Sequence, residues 1–309
     1  MLDTKAKLVG LDLGRYKCKA ITIDYTGKET VASFLTKRSF WTPRKTDMPL
    51  MKGSYVLEVN GEKYYIGKEA TKSGTGLSTL DGEKKAVDDA VLYMLTAFYE
   101  LGVEGEIWLS VCIPVDDFNR DKEAIKQILK GDYTYKVDGV LRHANVTRVI
   151  VTPEAMVSSL LLEDEEMEGM LTYILNIGSY KSNFACFDGD IDVFSDRSGS
   201  LPNVGWQRAE LKGLSQEEKV KSIIDAASAK LTKQDWDKPY EDPELNKELQ
   251  ANVYLCGGVA EIIYPEFERV FFEMIPHLKA VKVLPEPQFS DARGCLQRAI
   301  NEWSEELYG

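Results

Sequence analysis

Gly10-Leu11-Asp12-Leu13-Gly14-Arg15-Tyr16-Lys17-Cys18-Lys19-Ala20, read beside Asn176-Ile177-Gly178-Ser179-Tyr180-Lys181, decides the fold. Leu8 to Leu13 is an apolar run interrupted only by Gly10 and Asp12, which predicts a buried strand ending at a glycine turn. An alternating strand follows through Ala20, Ile21 and Ile23, then a turn at Thr26-Gly27 and a third strand from Val31 to Leu35. The same plan returns later. Leu171 to Ile177 reads as a strand, Gly178-Ser179-Tyr180-Lys181 as its turn, and Phe184 to Phe187 as the returning strand. An Asp188-Gly189 turn then leads into Ile191 to Phe194. Gly14, Tyr16 and Lys17 fall on Gly178, Tyr180 and Lys181 at a constant offset of 164 residues, and Asp12 falls on Asn176. Two unrelated hairpins sharing turn residues would also give this pattern. A duplicated domain explains the matched register as well as the composition.

Around these meanders the chain reads as α/β. Lys84 to Leu101 has helical spacing of apolar residues and stops at Gly102. Glu106 to Ile113 is a strand ending at Pro114, Asp121 to Leu129 a helix, and Val146 to Val151 a β-branched strand. Thr152 as N-cap and Pro153 at the first helical position predict a helix start there. Ser215-Gln216-Glu217-Glu218 is a capping box for a helix to Leu231. Thr232 to Leu249, with Pro239 and Pro243, is polar and loop-like. Asn252 to Cys256 is a strand, Gly257-Gly258 a turn and Ala260 to Met274 a helix; Ser290-Asp291 caps a last helix.

Composition narrows the function classes. With 309 residues there is room for two domains, each with its own core. The net charge of -12 argues against direct binding to nucleic acid or an anionic membrane. The runs Glu163-Asp164-Glu165-Glu166 and Glu305-Glu306 are expected to be solvated helix ends. Cys18, Cys112, Cys186, Cys256 and Cys295 lie far apart among apolar or small residues, so buried reduced thiols are expected. His143 and His277 are the sole histidines, too few for a histidine-rich metal site. No apolar run approaches the roughly 18 to 20 residues of a membrane helix, and the first residues do not read as a signal peptide. A cytoplasmic protein is the expectation.

A tight glycine turn presents backbone N–H groups to an anion, because glycine allows close approach and unusual dihedrals. Two such turns suit a polyphosphate, with Lys17 and Lys19 adding positive charge beside the first and Lys181 beside the second. Asp12, at a strand end, is placed to orient magnesium-bound water. Gly257-Gly258 precedes a helix N-terminus, where anions are favoured, although a lone glycine pair is also a common packing device. No Gly-x-x-x-x-Gly-Lys-Ser/Thr loop, Gly-x-Gly-x-x-Gly, Gly-x-Ser-x-Gly or His-Glu-x-x-His occurs.

Together these stretches resemble the actin superfamily, and within it the bacterial plasmid-segregation actins of the ParM/StbA kind. Gly10 to Gly14 with Cys18-Lys19-Ala20 is similar to the first phosphate motif. Asn176-Ile177-Gly178-Ser179 stands where the second usually reads Asp-x-Gly, and Gly257-Gly258-Val259-Ala260 is similar to the adenosine motif. Tyr55 to Gly67 with its Asn60-Gly61 hairpin, Cys112-Ile113-Pro114-Val115 and Val151-Thr152-Pro153-Glu154-Ala155 resemble segments specific to the plasmid group.

The resemblance implies an α/β, actin-like (ribonuclease-H-like, duplicated) ATPase fold with two domains around a nucleotide cleft. The first would span 1–168, with a small insert at about 36–75 and the last helix at about 290–307 packing back on it. The second would span 169–289, with its upper part reduced at about 206–251. The implied ligand is ATP or GTP with Mg2+. Asp12 (through water), Gly14, Arg15, Tyr16 and Lys19 would serve the phosphates and metal from one half, and Gly178, Ser179, Tyr180 and Lys181 from the other. Gly257, Gly258 and Val259 would meet the nucleoside. Glu154 would orient the attacking water, with Asp12 and Asn176 beside it; an acid in a first helical turn is the structural alternative for Glu154. Asn176 in place of an aspartate implies slow hydrolysis, and Arg15 and Tyr16 replace the usual small hydroxyl residues. The implied partners are further copies in a filament and a DNA-binding adaptor protein carrying a plasmid. A non-hydrolysing scaffold filament and a small-molecule kinase of the same fold are the alternatives.

Overall fold

The computed structural model describes residues 6–43, 48–72, 89–188, 193, 195–242 and 247–308. The chain divides into two compact units. One comprises Met1–Ile113, Asp117–Thr152 and Cys295–Gly309, the other Pro114–Asp116 and Pro153–Gly294.

The first unit is built on a nine-stranded sheet. Its strands are β1 (Lys7–Leu13), β2 (Lys17–Ile23), β3 (Glu29–Leu35), β4 (Arg38–Phe40), β5 (Ser54–Val59), β6 (Glu62–Gly67), β7 (Gly105–Ile113), β8 (Gly131–Val137) and β9 (Val140–Pro153). The spatial order is β3-β2-β1-β7-β9-β8-β5-β6-β4. Helices α1 (Lys68–Lys72), α2 (Asp89–Leu101) and α3 (Phe118–Leu129) complete it. Helix α2 is buried on almost all sides, as its apolar run Leu92 to Phe98 requires. It stops as expected at Gly102 (φ 68°), where Gly102 N–H donates to Tyr99 O and Val103 N–H to Phe98 O. The Asn60-Gly61 hairpin forms with both residues at positive φ, which fits a two-residue turn between β5 and β6. Residues 84–88, the expected start of α2, lie outside the described residues.

The second unit has a five-stranded sheet. Helix α4 (Asp164–Met167) precedes β10 (Leu171–Asn176), β11 (Ser182–Phe187) and β12 (Gly199–Leu201). Then come α5 (Trp206–Glu210), α6 (Gln216–Thr232), a hairpin of β13 (Tyr240–Asp242) and β14 (Lys247–Leu249), β15 (Ala251–Cys256), α7 (Ala260–Met274) and β16 (Leu278–Val283). The sheet order is β12-β11-β10-β15-β16. The last helix, α8 (Ser290–Tyr308), begins in this unit, and its residues from Cys295 onward belong to the first.

The two sheets repeat one another. A central strand pairs antiparallel with the strand that follows the glycine turn and parallel with a later strand: β1 with β2 and β7, β10 with β11 and β15. Register is matched too. Asp12 faces Lys19 and Cys112, and Asn176 faces Asn183 and Cys256. Each unit has its own apolar core. That of the second centres on Trp236, stacked on Tyr173 at 4.1 Å, with its indole N–H donating to Arg197 O at 3.0 Å.

Two expectations change, and a third falls mostly outside the described residues. The stretch Thr232 to Leu249 is not wholly loop, since it carries β13, β14 and the fully buried Trp236. β12 pairs with β11. Of Ile191 to Phe194 only Val193 is described, bridging to Phe187. No helix starts at Pro153: β9 runs through it, and a 3₁₀ helix begins later, at Met156. The Thr152 hydroxyl, expected to cap, instead donates to Val111 O at 3.3 Å, because the apolar run before it continues as strand. All five cysteines are buried thiols outside any disulfide, as expected. Among the described residues no helix is long and apolar enough to cross a membrane.

Candidate functional site

In the first unit, β1 carries Asp12 to the end of the strand and the chain turns back at once through Gly14-Arg15-Tyr16 into β2. Asp12 is 5% exposed and accepts from Lys19 Nζ at 2.8 Å, a cross-strand ion pair set by the β1–β2 register. Gly14 is required here for contact rather than for dihedral freedom. A Cβ at this position would lie 2.3 Å from Lys17 O, far inside van der Waals contact. The turn is held from behind: the Thr36 hydroxyl donates to Gly14 O at 2.8 Å and Thr36 N–H to Tyr16 O at 3.0 Å. Thus Asp12, Gly14, Arg15, Tyr16 and Lys19 form one cluster at one strand end.

The second unit repeats the device. A Cβ on Gly178 would lie 2.2 Å from Lys181 O. This turn is also held by its carbonyls, here by amides at the start of α5: Trp206 N–H donates to Gly178 O at 3.2 Å and Gln207 N–H to Ser179 O at 2.8 Å. Gly205 makes this approach possible, since a Cβ there would meet Ser179 O at 2.6 Å and Tyr180 N at 2.7 Å. The Tyr180 ring lies under the Arg208 guanidinium at 5.6 Å, and Lys181 Nζ is 3.7 Å from the Asp116 carboxylate.

The Gly257-Gly258 turn is brought against the second glycine turn. Gly257 sits at φ 95°, and a Cβ on it would meet Ile177 O at 2.3 Å and Asn176 Oδ1 at 2.5 Å. Its N–H donates to Pro287 O at 2.7 Å. Val259 follows as the residue preceding α7, whose first-turn N–H groups form the positive end of a 15-residue helix.

Glu154, 8% exposed, stands in the turn after β9, so its expected place in a first helical turn is replaced. Its Oε2 accepts from Asn183 Nδ2 at 2.5 Å, and Asn183 Oδ1 accepts from the Ser200 hydroxyl at 2.7 Å. Ala155 next to it is held at φ 63°. Asp291, expected as a helix cap, accepts from Ala155 N–H, the Ser158 hydroxyl and Asn176 Nδ2 instead. Two members of this network, Asn183 and Asp291, went unread as site residues. Asn183 had a signal, because the 164-residue offset carries Lys19 onto it. Asp291 had none, since a Ser-Asp pair before an apolar helix reads as a cap.

The fold is actin-like. Residues 10–156 match the family model described as the actin-like proteins' N-terminal domain. Ta0583, an archaeal actin homologue, is 19% identical with a TM-score of 0.68, over 96% of this chain and 99% of that one. ParM in a 15-stranded filament from Clostridium botulinum is 13% identical with a TM-score of 0.72, over the same shares. AlfA, from a filament of Bacillus subtilis plasmid pLS32, is 18% identical with a TM-score of 0.65, over 94% and 98%. AlfA is also known as a filament bound to AMPPNP. No curated protein sequence matches the chain. The likeness to bacterial actin-like proteins of the ParM kind therefore holds in fold over nearly the whole chain.

Proposed function

We propose that the chain is a nucleotide-dependent, filament-forming actin-like protein, whose two glycine turns hold the phosphates of one magnesium nucleotide, ATP or GTP. The observation that carries this reading is the repeated turn. Twice, at the end of a central strand, a glycine is closed onto the carbonyl three residues on, so tightly that no side chain is admitted. Packing alone needs no such repetition. The AMPPNP-bound filament of AlfA, of the same fold, supports it further.

The donor set fits a magnesium nucleotide. Asp12 is a buried hard-oxygen ligand for metal-bound water, and a lysine stands beside each turn. Magnesium, when bound, neutralises phosphate charge and orients its waters. The chain's own residues do the rest. Lys19 holds the Asp12 carboxylate in place, and Lys181 and the turn amides would take phosphate oxygens. Gly257, Gly258 and Val259 would meet the nucleoside, with open space at Gly258, while Arg15 and Tyr16 would flank the first turn. Glu154, oriented by Asn183, is a hydrogen-bond acceptor for an attacking water. With Asn176 neutral, hydrolysis by Asp12 and Glu154 is slow.

In cellular terms the reading is a cytoplasmic protein that segregates plasmid DNA through an adaptor, touching neither nucleic acid nor membrane itself. The net charge of -12 favours such indirect attachment. A non-hydrolysing scaffold filament is the second reading, favoured by the engagement of the Asn176 amide with Asp291. Pelleting and light scattering with Mg-ATP, Mg-GTP or no nucleotide, with phosphate release followed in the same tubes, separate them. Polymer that forms with nucleotide and dissolves as phosphate appears is the expected result. Polymer without phosphate release favours the scaffold, and no polymer under any nucleotide overturns the filament.

A further inference from the structure

Three donors of the second unit, from two stretches of chain, converge on one carboxylate. Asp291 Oδ1 accepts from the Ala155 N–H at 3.2 Å and from the Ser158 hydroxyl at 2.7 Å, while Oδ2 accepts from Asn176 Nδ2. Asp291 is 4% exposed. Its short side chain reaches this far because α8 lies directly on the backbone of the turn. A Cβ on Gly294, one helical turn on and on the same helix face, would be 2.2 Å from Val157 O and 3.1 Å from Ser158 N. The residue anchored by Oδ1 is Ala155, whose positive φ persists only where its surroundings over-determine it. Ala155 adjoins Glu154.

The identity of residue 176 follows from the same contact. An ionised carboxylate only accepts, so the partner of Asp291 Oδ2 must donate, and an asparagine amide does. An aspartate at 176, which the resemblance leads one to expect, would place a half-buried carboxylate within hydrogen-bonding distance of the buried one, where both ionise only at a cost. We propose that Asp291 is a positioning residue of the candidate site. It carries the negative charge that position 176 lacks, and it holds Asn176 and the Glu154 turn in one arrangement. The pair is exchangeable: Asn176→Asp made together with Asp291→Asn would keep the same charge and the same N–H···O bond, with donor and acceptor trading sides. The catalytic part of this inference rests on the nucleotide reading above; the exchange does not.

The test compares the full chain with Asn176→Asp, Asp291→Asn and the two together, by thermal unfolding without nucleotide and by phosphate release with magnesium nucleotide. Each single change is expected to lower the unfolding midpoint by roughly 5 °C or more, and the double change to return within roughly 2 °C of the parent. Single-variant losses that simply add in the double variant overturn the proposal. Should a single variant fail to give folded protein, recovery of folded protein in the double variant supports the pair, and continued failure overturns it. Asp291→Asn is expected to cut maximal phosphate release roughly tenfold while half-saturating nucleotide changes less than about threefold, with release recovered in the double variant. Unchanged release in Asp291→Asn overturns the positioning role. If the parent neither binds nor hydrolyses nucleotide, the proposed function fails, and the midpoints alone decide whether the pair exchanges.

Discussion

Glycines that look alike in the sequence have opposite demands. At Gly178 an added Cβ would lie 2.2 Å from a backbone carbonyl, whereas at Gly258 nothing lies within 4 Å of it among the described residues. Gly178→Ala is therefore expected to cost about 2 kcal/mol or more of stability, by forced backbone movement, measured by urea unfolding. Gly258→Ala is expected to leave stability within about 0.5 kcal/mol. If the nucleoside lies against that backbone, nucleotide affinity in Gly258→Ala drops all the same, which titration with a fluorescent analogue reads directly. His277 gives a second residue-scale expectation. It is 9% exposed, and among the described residues neither ring nitrogen has a hydrogen-bond partner. Burial, reinforced by the Arg197 guanidinium, holds its imidazole below the ordinary histidine value. The unfolded chain then binds more protons than the folded one as pH falls below about 6.5, so stability declines on acidification through that range. His277→Leu should show a smaller loss than the parent between pH 7 and 5 by chemical unfolding, and equal losses in the two would refute the assignment.

At the scale of elements, what was legible had a local cause. The capping box at Ser215 formed as read: Ser215 Oγ accepts from Glu218 N–H and the Glu218 carboxylate from Ser215 N–H, and α6 starts there. Ser215→Ala should cost about 1 kcal/mol, visible in the unfolding midpoint and in far-ultraviolet helix signal. The central strands, the Gly102 stop and both glycine turns were legible for the same reason, since each is dictated by neighbours in sequence. Where the reading failed, a distant group decided. Thr152-Pro153 has the form of a helix start, yet β9 continues through it and the Thr152 hydroxyl turns to Val111 O on β7. Asp291 has the form of a cap, yet its carboxylate goes to residues 115 to 136 positions away. Such long-range pairing leaves no mark within a short window of sequence. The internal repeat is the exception, because it reports on distant structure through a shared offset, which carries Asp12 onto Asn176 and would have carried Lys19 onto Asn183.

The whole molecule carries a net charge of -12, and a filament would stack like charge on like. Screening shortens the reach of that repulsion to about 8 Å at 0.15 M salt. The critical concentration for pelleting should therefore fall as potassium chloride rises from about 20 to about 200 mM at fixed magnesium nucleotide. A rise instead would mean that interfacial ion pairs outweigh the net repulsion. Finally, the division of the chain has a temporal side. The first unit recruits its last segment, Cys295–Gly309, only after Pro153–Gly294 has been made. Until then Trp108 lacks its edge-on partner Trp303, and Arg148, lying over Trp108, lacks Glu306. A nascent chain emerging from the ribosome can complete the second unit first, while the earlier-made half waits with an apolar surface uncovered. The first unit can therefore be completed only after the second has been synthesised, and that wait leaves the chain open to aggregation and to chaperones.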